Sequence, residues 1–177
     1  MIEKSFFAGF GGQGILSMGQ LWVYFGMQEG KNVTFFPFYG AEKRGGIARA
    51  SVIISDEEIA SPLVTTPDSA VVMNMDSLPL CEKIIKNNGV IMMNTTLVRE
   101  DPKRTDLKII KIEASRLAED VGNVVFANMV ALGALAKVTG ALALNDIEGT
   151  LRKFFPPDKQ EFIPLNVKAI EAGFKAV

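Results

Sequence analysis

Residues 5–18 read SFFAGFGGQGILSM. The apolar run at 5–10 reads as a buried strand. Residues 15–28, with Leu16, Gly19, Leu21, Trp22, Phe25 and Met27 supplying a packing surface, read as a helix. Between them stands GFGGQG, four glycines in six residues. Glycine accepts left-handed backbone and lets another group approach the main chain closely. The spacing Gly9-x-Gly11-x-x-Gly14 matches the dinucleotide fingerprint, in which a phosphate rests on the free N–H groups that open the helix. A strand, this turn and a helix predict an α/β fold whose ligands sit beyond the carboxyl ends of the strands.

The rest of the chain keeps that alternation. Short β-branched or aromatic runs at 32–36, 47–55, 69–75, 89–94 and 107–111 read as strands, and 78–86 reads as a helix stopped by Asn87-Asn88-Gly89. The last third is helical: a short helix at 115–120, a nearly all-apolar one at 126–139 ending at Gly140, a third capped by Asn145, and a last one after Pro156-Pro157. Ile163, Val167, Ile170 and Phe174 give that last helix its 3.6-residue stripe. Strands without clean alternation, separated by helices, indicate a sheet buried on both faces. The expected architecture is one α/β domain over 1–177, a doubly wound, mostly parallel sheet with helices on both faces.

Composition narrows the chemistry. The 177 residues are 48% hydrophobic and 22% charged, with a net charge of −1, so nothing general favours nucleic acid or an anionic membrane. One cysteine, Cys81, and no histidine leave no disulfide framework, no cysteine cage for zinc or iron–sulfur, and no imidazole base. No metal site and no catalytic residue is therefore assigned. The longest apolar stretch, 126–136, is about half of the ~20 residues that span a bilayer, and Glu3-Lys4 ahead of a strand is unlike a secretory signal. A cytoplasmic protein is expected.

The glycine turn does not by itself mean NAD. NAD binding asks for an acid at the end of the second strand to take the ribose hydroxyls, and residues 33–39, VTFFPFY, contain none. No Gly-Lys-Ser/Thr follows, so it is not a Walker loop. Gly11, Gly12, Gln13 and Gly14 form a candidate anion cradle; a tight turn that holds nothing accounts for the same glycines. A second loop, FYGAEKRGG at 38–46, places Glu42, Lys43 and Arg44 before Gly45-Gly46. The planar fork of Arg44 suits phosphate or carboxylate, and Glu42 is placed to hold it. Two such loops at the ends of adjacent strands would converge on one anionic ligand; a solvated charged loop is the alternative.

Four stretches in order, GFGGQG, YGAEKRGG, SVIISDEEI and ANMVALGALAKVTG, together with NVKAIEAGF in the last helix, resemble the gamma subunit of the 2-oxoacid:ferredoxin oxidoreductases, the pyruvate/ketoisovalerate oxidoreductase catalytic-domain family. The resemblance implies a subunit of an enzyme that oxidatively decarboxylates a 2-oxoacid and forms acyl-coenzyme A, carbon dioxide and reduced ferredoxin. It implies thiamine diphosphate on alpha and beta subunits, iron–sulfur clusters on a ferredoxin-like delta subunit, and coenzyme A held in part by this chain. Carried over by position, Gly11, Gly12, Gln13 and Gly14 would cradle the coenzyme A phosphates, and Lys43 and Arg44 would meet its 3′-phosphate or pyrophosphate. Tyr39, with Glu42, would shape the loop that Gly45 and Gly46 close, or meet the alpha subunit. Asn128 would contact ligand or partner, or cap its helix. The family likeness leans toward 2-oxoglutarate or branched-chain substrates.

A stand-alone NAD(P)- or flavin-binding reductase and a purely structural subunit are the rival readings. Other features carry no assigned role. Glu57-Glu58 and Glu119-Asp120 read as solvated acids, Met73, Met75, Met92 and Met93 as core, Trp22 as core or subunit interface, and Cys81 as a structural thiol.

Overall fold

The computed structural model describes residues 1–38 and 46–177. The strands are β1 (Ile2–Phe10), β2 (Asn32–Phe38), β3 (Ile47–Ser55), β4 (Ser69–Val72), β5 (Val90–Asn94) and β6 (Lys108–Ile112). The helices are α1 (Ile15–Gln28), α2 (Leu78–Ile84), α3 (Ala114–Val121), α4 (Ala127–Thr139), α5 (Ile147–Phe154) and α6 (Ile163–Lys175), with short 3-10 turns at 75–77, 124–126 and 157–162.

The six strands form one sheet in the order β2-β3-β1-β4-β5-β6. It is a mixed sheet, parallel as expected over four strands but not throughout. β1, β4, β5 and β6 run parallel, whereas β3 lies antiparallel between β1 and β2. The reason is the length of the connection. A parallel crossover needs a dozen or more residues, usually a helix, and only residues 39–46 separate β2 from β3. The chain therefore returns as a hairpin and inserts β3 beside β1.

Helices cover the two faces unequally. On one face, Phe7, Val52, Ile54, Val71 and Met92 pack with α1, α3, α4, α5 and α6 in a single core that encloses Trp22, Phe25 and Leu132. On the other, Phe6, Ala8, Ala70, Val72, Ile91 and Met93 pack against Leu78, Cys81 and Ile85, on and just beyond α2. The expectation of helices on both faces is met, with the larger core on the α1 side.

α4 is apolar on all sides because it is buried on all sides: Asn128–Ala136 are all buried. It crosses α6 at backbone contact distance. A Cβ on Gly133 would collide with the carbonyl oxygen of Ile170, and one on Gly173 with that of Val130. Glycine is required there for close approach. Its end is as read from the sequence, at Gly140 in left-handed conformation, φ 62°.

Several boundaries differ by a few residues, β2 for one running on to Phe38, and three ends show the cause. β4 ends at Val72, because Met73 makes one last backbone bond to Ala8 O (2.9 Å) before the chain turns under α2. α2 ends at Ile84, before Asn87-Asn88-Gly89. Asp146 rather than Asn145 caps α5: its carboxylate accepts from Gly149 N at 2.8 Å, the charged acceptor sitting where the helix dipole favours it.

Candidate functional site: a cleft between two helix N-termini

β1 is the strand on either side of which the chain changes direction, so its carboxyl end is where an open α/β sheet offers a crevice. The glycine turn sits there. Gly12 (φ 95°) and Gly14 (φ 71°) adopt left-handed backbone, and Gly14 is the capping residue of α1. Gly9 is fixed by packing, since a Cβ would come within 2.6 Å of Gln13 Oε1 and 2.9 Å of Met73 Cβ.

Part of the expected cradle is spent holding the turn together. Gly11 N donates to Gly46 O (3.3 Å) and Gln13 N to Phe10 O (3.2 Å). The Gln13 carboxamide accepts from Phe10 N (2.7 Å) and donates to Met73 O (3.1 Å), pinning the turn to the end of β4. Gln13 is thus a brace. Gly12, Gly14 and Ser17, in the first turn of α1, are the part of this segment that lines a cleft.

What they face is a cleft of about 530 Å³. Gly12, Gly14 and Ser17 form one side, Asn123, Phe126 and Asn128 at the entrance to α4 a second, and Phe155, Lys159, Phe162 and Leu165 the third. The N-termini of α1 and α4 both open onto it, each bringing the positive end of a dipole, although at α4 Ala127 N already donates to Val124 O and Met129 N to Asn128 Oδ1. They are tied together: Asn128 Nδ2 donates to Gly14 O at 3.4 Å, and Asn128 Oδ1 accepts from Met129 N at 2.9 Å. Asn128 is 7% exposed and lies inside the first turn of α4, so it is not the helix cap. Asn123 is the residue that caps the preceding turn, accepting from Val125 N at 3.0 Å.

Of the residues singled out by sequence, Gly12, Gly14 and Asn128 come together at this cleft. Gln13 braces the turn, and Gly11, exposed, bonds to Gly46 without lining the cleft. Gly46 meets Gly11, which brings the end of the second glycine loop alongside the first. Tyr39, Lys43, Arg44 and Gly45 lie outside the described residues. Sequence reading missed Asn123, Lys159 and the walls Phe126, Phe155, Phe162 and Leu165. They come from three segments of the last third, and only Pro156-Pro157 hinted that the chain turns there. Among the described residues Lys159 is the cation lining the cleft. Besides Ser17 and the amides of Asn123, Asn128 and Asn166, the remaining wall is glycine or apolar.

Two chemistries do not fit. In a dinucleotide fold the second strand lies beside the first and brings its acid to the ribose. Here β3 occupies that place, and β2 is one strand further out. Iron–sulfur ligation fails on the sole thiol: Cys81 is fully buried, and burial pushes it up to about 12, with the charge of Arg49 acting the other way. Among the described residues no helix is long and apolar enough to cross a membrane.

This fold occurs in known proteins. The family model for pyruvate ferredoxin/flavodoxin oxidoreductase matches residues 4–176, and the chain belongs to that family. It is 34% identical over 173 residues to the 2-oxoglutarate synthase subunit KorC of Methanothermobacter marburgensis, covering 94% of this chain and 91% of that one. The crystal structure of a keto/oxoacid ferredoxin oxidoreductase gamma subunit from Geobacter sulfurreducens superposes with a TM-score of 0.85 at 28% identity, over 98% of this chain and 97% of that one. The 2-oxoglutarate:ferredoxin oxidoreductase of Magnetococcus marinus, solved with 2-oxoglutarate, coenzyme A and succinyl-CoA bound, contains the same fold. Its TM-score is 0.88 at 24% identity, over 99% of this chain and 31% of that one. Other relatives are likewise longer proteins, of which the chain spans 34% of the length.

Proposed function

We propose that this chain is the gamma subunit of a multi-subunit, thiamine-dependent 2-oxoacid:ferredoxin oxidoreductase. Residues 1–177 act as one domain that helps to hold coenzyme A and covers an active site built by alpha and beta subunits. The complex converts a 2-oxoacid and coenzyme A to acyl-CoA and carbon dioxide, and passes two electrons to ferredoxin. Thiamine diphosphate supplies the decarboxylation chemistry from the alpha and beta subunits, and a ferredoxin-like delta subunit carries the iron–sulfur clusters. The whole assembly works in the cytoplasm.

The observation that carries the reading is the Gly14–Asn128 junction. Two helix N-termini locked side by side make a preorganised place for phosphate groups, and the aromatic wall opposite suits the adenine ring or the pantetheine arm. Lys159 adds a cation from the described residues, and Lys43 and Arg44 would add two more from the second loop. A purely structural role is favoured for one half of the turn, where the backbone N–H groups of Gly11 and Gln13 and the Gln13 amide are already bonded.

Assay of the purified chain alone with a 2-oxoacid, coenzyme A and a dye acceptor is expected to show no turnover. Co-expression with the thiamine-binding subunits should restore it. In the assembled enzyme Arg44→Ala should raise KM for coenzyme A more than KM for the oxoacid. Unchanged coenzyme A dependence, with assembly impaired instead, would favour the structural role.

A further inference from the structure

Asn88 is the asparagine of this chain that a glycine follows; each of the others precedes a larger residue. That pairing is the one most prone to lose the side-chain amide. With no Cβ in the way, the backbone nitrogen of the glycine can reach the asparagine Cγ and close a five-membered ring. Asn88-Gly89 makes the turn between α2 and β5, at the amino end of the parallel strands and so at the opposite end of the sheet from the cleft. Asn88 is exposed and left-handed, φ 59°. Its side-chain amide is open to water.

The nitrogen that would attack is held. Gly89 is buried, and its N–H donates to Lys86 O at 3.1 Å. A Cβ on it would come within 2.7 Å of Ile85 Cγ1, so the main chain is packed closely there. The bonds on either side fix the same peptide: Lys108 N donates to Gly89 O (2.9 Å), and Val90 N to Asp68 O (3.0 Å). Ring closure requires Gly89 N to give up its proton and to swing onto Asn88 Cγ. Both movements break the bond to Lys86 O.

The turn is clamped from the segment between β5 and β6. The Arg104 guanidinium donates to the carbonyl oxygens of Glu82 (3.0 Å), Ile85 (2.8 Å) and Lys86 (3.4 Å), and to Asn87 Oδ1 (3.1 Å). It also forks onto the Asp106 carboxylate, through Nε at 3.0 Å and Nη2 at 2.7 Å. Such two-point pairing fixes geometry as well as charge. Asp106 Oδ2 in turn accepts from Asn88 N at 3.1 Å. The bonds from Arg104 and then from Asn88 hold the Asp106 carboxyl down to about 2, so it stays ionised in the neutral and alkaline range where ring closure runs.

We propose that Asn88-Gly89 is a site of deamidation and isomerisation that the Arg104–Asp106 pair keeps shut. When the turn opens, base removes the Gly89 amide proton and the nitrogen bonds to Asn88 Cγ. The bond from Cγ to the side-chain nitrogen breaks, ammonia leaves, and a succinimide remains. Water then opens the ring at one carbonyl or the other, giving aspartate or isoaspartate; nothing is oxidised or reduced. Either product sets a second carboxylate beside Asp106. Isoaspartate also adds a methylene to the main chain just ahead of β5, so the original turn cannot reform. The modification accumulates with the time that the turn spends open, and it is independent of the reading of the chain as a subunit.

The test incubates the full chain at pH 8, below its Tm, and follows Asn88 by peptide mass spectrometry and by an isoaspartate methyltransferase assay. Conversion should be at least roughly tenfold slower in the native chain than in denaturant, as for a group reached only by local opening. Arg104→Ala and Asp106→Ala should each speed native conversion by roughly threefold to tenfold, the worth of an exposed charge-assisted hydrogen bond. Cys81 should meanwhile stay unlabelled by iodoacetamide, which shows that α2 remains on the sheet. Asp106→Asn, the gentler change, decides the matter if an alanine variant melts below the incubation temperature. Native conversion as fast as in denaturant, no conversion of Asn88 in denaturant, or folded variants that convert at the wild-type rate would each overturn the proposal. So would acceleration that only keeps step with Cys81 labelling, because the fold as a whole and not the clamp would then protect Gly89.

Discussion

The side-chain amide of Asn128 donates to the carbonyl oxygen of Gly14 across 114 residues of chain, and so locks the start of α4 to the start of α1. The bond does more than join two helices. It sets the angle at which the N–H groups opening α1 and the dipoles of both helices face the same cleft. Preorganised donors bind an anion without the cost of ordering them at the moment of binding.

Asn128→Ala should therefore weaken coenzyme A binding by about fivefold to tenfold, the worth of one buried hydrogen bond and the alignment it maintains. KM for the 2-oxoacid should stay near the wild-type value. Steady-state kinetics of the assembled enzyme, with each substrate varied in turn, separates the two. Equal changes in both would show that Asn128 serves general packing only.

Gly14→Ala meets two obstacles at once. Its backbone is left-handed, and the added Cβ would collide with the Asn128 amide. A loss of about 2 kcal/mol in stability is expected from the backbone and the displaced side chain, together with weaker coenzyme A binding. Gly133→Ala instead drives a methyl group into the carbonyl of Ile170 and must force α4 from α6. A loss of about 3 kcal/mol is expected, read as a fall in Tm of roughly 6–12 °C.

Glu3 supplies a pH test. Burial raises its carboxyl above its ordinary value of 4.5, the nearby Asp68 pushes the same way, and hydrogen bonds from Ser69 and Ser5 and the charge of Lys86 oppose the rise. A raised acid is more readily protonated in the folded state than in the unfolded one. Ionisation therefore burdens the folded state fully above the folded value and not at all well below 4.5. Glu3→Gln keeps an acceptor for Ser69 and removes the charge. It should raise Tm at pH 8, and the gain should vanish as pH falls below 4.5. A variant less stable than wild type at pH 8 would contradict this.

Cys81 should resist thiol reagents. With its thiol buried and pushed up to about 12, the nucleophilic thiolate is scarce at pH 8. Labelling with iodoacetamide should be negligible in the native protein and complete in denaturant. Rapid native labelling would mean that α2 opens readily from the sheet.

Much of this protein is decided locally, and such features were legible. The strand–turn–helix at 2–28 follows from an apolar run, glycines that alone tolerate φ 95° and 71°, and a helical stripe. The end of α4 at Gly140 follows from the same left-handed preference. The missing acid after the second strand-like run already spoke against NAD, though a nucleotide-binding reductase stayed open as an alternative. Other features depend on partners far along the chain. Nothing adjacent to Gln13 shows that its amide braces β4, nothing near Asn128 shows that it reaches Gly14, and Lys159 gains meaning only opposite them. The place of β3 between β1 and β2 is likewise a matter of sheet closure, because strand-like residues pair with either neighbour and only the short connection at 39–46 makes the hairpin the reachable one. Local conformational preference and composition determined the elements and the chemistry the chain cannot perform. Long-range packing decided which backbone groups remain open for a ligand and which, like the N–H groups of Gly11 and Gln13, are spent on holding the turn.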